Sequence, residues 1–417
     1  MGDRTIKKST YLILLSLLVN SWMYIGFVRL YLFPSYAKLL YFIPFGLTLA
    51  LAVYSLANSQ VAIRKNLFFL PLIYLGVFFQ GIHIFQNHID LKIAVYGLLL
   101  YCFPFFLFIG TPFYGHLRLA EKLEKQILLG IYPNLILSFL QTYVPNSKYA
   151  TSLEDTNQLV SSSGYVRAFG TFSSTTGFSY YLALATCLMI FNSTKKSKRL
   201  YLINWIAILS MFAMSGSRTA ILTGGLIILT GFIVQKNRFA RVIRKLPVMF
   251  LASIPIAVLL STILRGPVEA LLIRFQVAST QENSFLRVWQ TLTGFSQRDD
   301  SSLFGTGLGS YSTGSVGYVS TGQWIEQDLA RTIVEAGSLV GFCLVLARWI
   351  LCCFLIYIAK AQIRDDLVEV PLLVITVLPN ILYGQLVGQG SIAVGSWLTI
   401  FLIFLRRSRT ENIDKTN

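Results

Sequence analysis

Four arginines stand at the borders of apolar runs rather than in basic clusters. Arg218 lies in Ser215-Gly216-Ser217-Arg218-Thr219, a break between two apolar runs, and Arg167 in Tyr165-Val166-Arg167-Ala168-Phe169-Gly170-Thr171-Phe172. Arg287 lies in Ser284-Phe285-Leu286-Arg287-Val288-Trp289, and Arg331 opens a long apolar stretch. A guanidinium forks onto two phosphate oxygens and keeps its charge at every relevant pH, so several converging from separate elements make an anion clamp. The competing reading is that each snorkels to a lipid phosphate or pairs with an acid. Charge at the edge of hydrocarbon is costly, and for Arg218 this favours a ligand.

The acids form a second set. Trp324-Ile325-Glu326-Gln327-Asp328-Leu329-Ala330-Arg331-Thr332-Ile333-Val334-Glu335 puts Glu326, Asp328, Arg331 and Glu335 at the start of a helix. Asp328 and Arg331 are spaced i,i+3, and Arg331 and Glu335 i,i+4, so both pairs can meet. Glu335 is the deeper acid and is expected to pair structurally with Arg331. Glu326 and Asp328 are expected nearer water, where either can act as general base toward a hydroxyl acceptor. A helix N-terminus also favours acids without any catalytic role.

Phe304-Gly305-Thr306-Gly307-Leu308-Gly309-Ser310-Tyr311 has the spacing of a dinucleotide fingerprint but no βαβ unit around it. It reads instead as a tight turn that brings backbone close to the acids, with Tyr311 and Trp324 as candidate glycan contacts. His83, His88 and His116 all fall outside the long loop that holds this turn, so no histidine base is expected there. Asp299-Asp300 reads as a solvated turn, and no metal or other cofactor is expected. The five cysteines lie inside apolar runs, without ligand spacing or a loop pair to bridge.

The elements that must position these groups follow from composition. The 417 residues are 54% hydrophobic and 13% charged, about half the usual charged fraction. Mean hydropathy is +0.63. The apolar residues fall in runs of about twenty, enough to cross a hydrocarbon core. A disordered chain, a disulfide scaffold and a soluble enzyme are excluded. The expected fold is an all-α polytopic bundle of twelve spans, near 9–28, 39–57, 67–85, 93–113, 126–144, 170–192, 200–214, 219–235, 246–264, 327–359, 368–387 and 391–405. The first span reads as an uncleaved signal anchor. Residues 24–33 read either as its end or as a separate interfacial helix.

Most of the 35 Lys and Arg fall in alternate loops that include both termini, so both termini are expected in the cytoplasm. The net charge of +17 is then a topology signal and an attraction to anionic lipid, not a nucleic-acid footprint. Cytoplasmic loops are short, whereas outer loops at 145–169 and 265–326 are long. The chain divides into spans 1–9 (residues 1–264), a helical extracytoplasmic cap (265–326, with helices near 267–277 and 284–295), and spans 10–12 with a cytoplasmic tail (327–417).

Taken in order, Arg167-Ala168-Phe169-Gly170-Thr171-Phe172, Ser215-Gly216-Ser217-Arg218-Thr219-Ala220, Arg287-Val288-Trp289, Phe304-Gly305-Thr306-Gly307-Leu308-Gly309 and Glu335-Ala336-Gly337 resemble the O-antigen ligase/polymerase superfamily. These are membrane glycosyltransferases that use polyprenyl-pyrophosphate-linked glycans. The resemblance covers residues 167–345. It implies a helical membrane fold with a cap over a cavity open to lipid, and arginines matching Arg218 and Arg287 on the pyrophosphate, without a metal. Arg167 and Arg331 are expected nearby, in the same outward-facing chamber. In the ligase branch a histidine stands where this chain has Glu326, and that departure favours the polymerase branch. The expectation is a polysaccharide polymerase of the inner membrane acting on undecaprenyl-pyrophosphate-linked repeat units, with membrane lipids and a chain-length regulator as partners. The alternatives are a ligase joining glycan to lipid A-core or protein, and a transporter of a glycan or small anion.

Overall fold

The computed structural model describes residues 2–58, 69–86, 90–109, 116–144, 149, 166–191, 198–234, 262, 264–281, 289, 293, 303–312, 325, 327–364 and 368–413. Among the described residues the regular structure is helical, with no strand. Helix α1 (Gly2–Phe27) runs on through a π turn (Val28–Leu32). Phe33 then leaves helical geometry (φ −135°, ψ 60°) ahead of Pro34, because the residue before proline is pushed out of the α region. Residues 24–33 are therefore mostly the end of the first helix. The chain continues through α2 (Ala37–Leu40), α3 (Ile43–Asn58), α4 (Phe69–Gln86), α5 (Leu91–Ile109), α6 (His116–Leu129) and α7 (Ile131–Tyr143). Then come α8 (Thr175–Phe191), α9 (Lys198–Ser215), α10 (Arg218–Val234), α11 (Arg265–Gln281), α12 (Asp328–Arg364), α13 (Glu369–Leu382) and α14 (Gly390–Ile413).

Among the described residues, five stretches are long and apolar enough to cross a membrane: Ser9–Leu32, Pro34–Asn58, Leu91–Ile109, Asp328–Ile363 and Gly390–Arg407. Five shorter apolar helices accompany them, at Pro71–Phe85, Thr175–Ile190, Arg199–Ser215, Arg218–Gly231 and Glu369–Leu382. The described residues are all-helical, and these apolar helices make the protein membrane-associated. The span expected at 246–264 lies outside the described residues apart from Thr262 and Leu264, and so does about half of the expected cap. The cap helix expected at 267–277 is present within α11.

Helix α8 is apolar all round and almost wholly buried, as a central helix must be. The core forms around its Phe178, Tyr181 and Leu184, with Trp22, Phe45, Phe172 and Phe401. On α12, by contrast, Leu339, Phe342, Leu346, Ile350 and Phe354 are exposed at helical spacing, an apolar stripe suited to lipid.

Two elements differ from expectation. Residues before 126 read as a loop, yet α6 begins at His116, because Leu119, Leu123 and Ile127 recur at i,i+4 and bury against α1 and α14 while Lys122 and Lys125 stay exposed. The long span from Asp328 is interrupted at Gly337 (φ 82°, ψ 166°), which splits α12 into a short first segment and a long second one. A Cβ at Gly337 would collide with the backbone of Leu303 and Phe304, so the break is where another strand of backbone comes in contact.

The bundle has two chemically distinct ends. At one, Arg406 of α14 grips Glu124 of α6 through paired 2.6 Å contacts from Nη2 and reaches Glu369 of α13 at 2.9 Å. At the other meet the C-terminal ends of α1, α9 and α13 and the N-terminal ends of α8, α10, α12 and α14. That second end holds the arginines and acids of interest.

Candidate functional site

The sequence around Arg218 builds a helix stop followed at once by a helix start. Gly216 adopts φ 57°, a left-handed conformation that ends α9. Ser217 then caps α10, its Oγ accepting the Ala220 N–H at 3.3 Å. Arg218 is thereby fixed as the first residue of α10, half-buried at the rim.

Arg167 reaches the same rim from a different part of the chain. The Ala168 N–H donates to the Met214 carbonyl at 3.0 Å, laying the 167–172 segment against the end of α9. From the other side, α7 pins that segment. Gln141 Oε1 accepts the Phe169 and Gly170 N–H groups at 2.9 Å each, and its Nε2 donates to the Gly170 carbonyl. Asn134 Oδ1 accepts from the Thr171 N–H at 2.9 Å, and the Thr171 hydroxyl donates to the Met23 carbonyl at 2.6 Å. Amides inside apolar helices are thus spent on a loop that would otherwise carry unsatisfied backbone groups.

The acids sit differently from expectation. Asp328 is buried, not at the water's edge: Oδ1 is bound by Arg331, and Oδ2 by Arg348 at 2.6 Å and the Val387 N–H at 3.3 Å. Buried, and with both oxygens bound to guanidiniums, it is not placed to take a proton from a substrate. Arg331 is wholly buried as well, shared among Asp328, Gln385 at 3.2 Å and Glu335 at 3.6 Å, so its guanidinium does not line an open chamber. Arg348, which sequence marks only as a charge inside a span, also donates to the carbonyls of Asn380, Ile381 and Gly384. Two carboxylates and two guanidiniums make a neutral buried tetrad, which is how charge is tolerated at such depth.

The pair expected between Arg331 and Glu335 forms, but the carboxylate's shorter contacts go elsewhere. Glu335 Oε2 accepts the Gly309 N–H at 2.9 Å and the Tyr101 hydroxyl at 3.0 Å; Oε1 accepts the Tyr311 N–H at 2.9 Å. The glycine run is therefore a turn next to an acid, as expected, and not a nucleotide loop. Gln80 holds its Leu308 by two reciprocal bonds of 2.9 and 3.0 Å, and a Cβ on Gly309 would stand 2.7 Å from the Gly97 Cα. Tyr311 is half-buried against Ile325, Ala330 and Val334.

The tetrad and the arginine rim are joined through the segment between α13 and α14. Gln385 binds Arg331, while Gln389 accepts the Thr176 hydroxyl at 2.7 Å at the start of α8, and Ser391 accepts the Trp22 indole N–H at 2.7 Å. The chain matches no protein-family model, no curated protein and no solved structure.

Of the residues singled out from sequence, the structure brings the segments of Arg167 and Arg218 together and joins Asp328, Arg331 and Glu335 nearby. Glu326, Arg287 and Trp324 lie outside the described residues, as do Asp299 and Asp300. Sequence reading passed over Gln80, Tyr101, Asn134 and Gln141, whose signal was a polar side chain inside an apolar run. Chemically, the rim gathers two half-buried arginine residues on separate backbone segments joined by the Ala168–Met214 bond, a concentration of positive charge suited to an anion.

Proposed function

We propose that the protein is a polysaccharide polymerase, transferring a growing glycan from its undecaprenyl-pyrophosphate carrier to a hydroxyl of another lipid-linked repeat unit. In this reading the site faces outward from the cytoplasmic membrane and both termini lie inside. The bond between the sugar's anomeric carbon and the phosphate oxygen breaks, and the pyrophosphate leaves with the electron pair. A new glycosidic bond forms to the acceptor oxygen, whose proton passes to a carboxylate. Negative charge grows on the leaving group, and fixed guanidiniums stabilise it more in the transition state than in the ground state. Arg167 and Arg218 fill that role, with Arg287 as a third contributor. Glu326 is the base of choice, because Asp328 is committed to Arg331 and Arg348.

The observation that supports the reading most is the 3.0 Å bond from the Ala168 N–H to the Met214 carbonyl, which ties the Arg167 segment to the turn carrying Arg218. In cells that make the polysaccharide, Arg218→Ala is expected to abolish polymer and leave single repeat units. Polymer of normal length in that variant overturns the reading. Normal polymer left unattached to its final acceptor is instead the outcome for a ligase.

A further inference from the structure

The turn at 303–312 is unusual in what fills its interior. Gly305, Gly307 and Gly309 adopt φ of 73°, 103° and 88°, values that only glycine takes without strain, and they turn successive N–H groups toward the first segment of α12. The Thr306 and Gly307 N–H groups are taken by the Val334 and Glu335 carbonyls at 3.0 and 2.9 Å. The Gly309 and Tyr311 N–H groups are taken by the two oxygens of the Glu335 side chain. Backbone N–H cradles of this kind bind anions, and here the anion is a buried carboxylate of the same chain. Tyr101 and Gln80 complete the grip from α5 and α4. The effect is concentrated on Tyr311, whose backbone is fixed by Glu335 and whose ring is only half covered by Ile325, Ala330 and Val334.

We infer that Glu335 is a positioning residue that acts through Tyr311, holding that ring where the glycan of the lipid-linked repeat unit meets it. The inference rests on the polymerase reading for its substrate and on the turn's geometry for its mechanism. A flat ring with a polar tip suits a sugar, apolar on one face and hydroxyl-rich at its edge. Gln in place of Glu335 keeps one acceptor but turns an amide N–H₂ toward an N–H donor, so one or two of the three bonds are lost, and Arg331 loses one of its two carboxylate partners.

The test uses the full chain in lipid nanodiscs with the lipid-linked repeat unit as substrate. Glu335→Gln is expected to raise KM about tenfold with kcat held, the equivalent of one buried hydrogen bond. Tyr311→Ala is expected to do the same, and the double variant to be no worse than Tyr311→Ala alone, because residues that act through one another are not additive. Additive losses, or a fall in kcat at constant KM, overturn the inference. Tyr101→Phe removes one bond without changing charge and is expected to raise KM about threefold, a check that survives if Glu335→Gln folds poorly. A substrate-free measurement separates this inference from the reading beneath it. Amide exchange at Gly309 and Tyr311 is expected to be slow in the native protein and much faster in Glu335→Gln, and unchanged protection overturns the positioning role whatever the polymer assay gives.

Discussion

Replacing Asp328 by Asn removes one of four charges that cancel inside the protein. The carboxylate receives guanidinium contacts from Arg331 and Arg348 and the Val387 N–H, and all three side chains of this group are essentially hidden from solvent. A hydrogen bond to a charged group contributes about 1.5–3 kcal/mol net, and two are weakened together. Breaking a buried pair by neutralising one partner costs about 3–5 kcal/mol, because the other charge is left uncompensated. That is a large share of the roughly 5–15 kcal/mol that holds a typical fold together. Arg348 retains its three carbonyl acceptors, so the uncompensated charge falls mainly on Arg331, 3.6 Å from Glu335. Combining Asp328→Asn with Arg331→Met restores neutrality, leaving one buried negative charge at Glu335 and one positive charge at Arg348. The double variant is therefore expected to be more stable than the sum of its singles by at least about 1 kcal/mol. Equilibrium unfolding of the purified protein in detergent, followed by tryptophan fluorescence, reads all four corners of the cycle. A loss below about 1 kcal/mol for Asp328→Asn, or additivity within about 0.5 kcal/mol, refutes the neutral-tetrad argument.

Three further outcomes follow from the geometry. Gln141→Leu leaves the Phe169 and Gly170 N–H groups without their acceptor and is expected to cost about 2–4 kcal/mol while releasing the Arg167 segment, read by thermal melting together with amide exchange at those two residues. Gly309→Ala places a Cβ 2.7 Å from the Gly97 Cα at φ 88° and is expected to abolish folded yield, whereas Gly46→Ala, with nothing within 4 Å, is expected to fold normally; equal yields contradict the close approach of α5 and the turn. Glu124→Gln takes from Arg406 its paired carboxylate contact and is expected to cost about 3 kcal/mol, yet the protein that does fold keeps native polymer length, because this cluster lies at the end away from Arg167 and Arg218.

The helices were largely legible because apolar runs and helical spacing report burial directly, as on α8 and α12. The break at Gly337 was not, since the backbone that enters there comes from residues 303–305, about thirty positions away in sequence. The i,i+3 and i,i+4 spacing of Asp328, Arg331 and Glu335 correctly placed these residues within reach of one another. It cannot disclose that Arg348, a third partner, reaches Asp328 from deeper in α12, and so the spacing alone leaves Asp328 open to water when it is sealed. Likewise the Ser215-Gly216-Ser217-Arg218 break was readable as a stop and a cap, whereas the supports of Arg167 were not. Gln141 and Asn134 look like isolated polar residues in an apolar helix until the 169–171 backbone is laid against them.

The central claim is that guanidiniums at the α9–α10 rim stabilise a departing pyrophosphate. The most direct measurement incubates the purified chain in nanodiscs with a lipid-linked repeat unit alone and resolves the products by size. The account predicts a ladder of polymer and free undecaprenyl pyrophosphate from the native protein, and neither from Arg218→Ala with its fold intact. The same ladder from both proteins, or no ladder from the native protein, contradicts it.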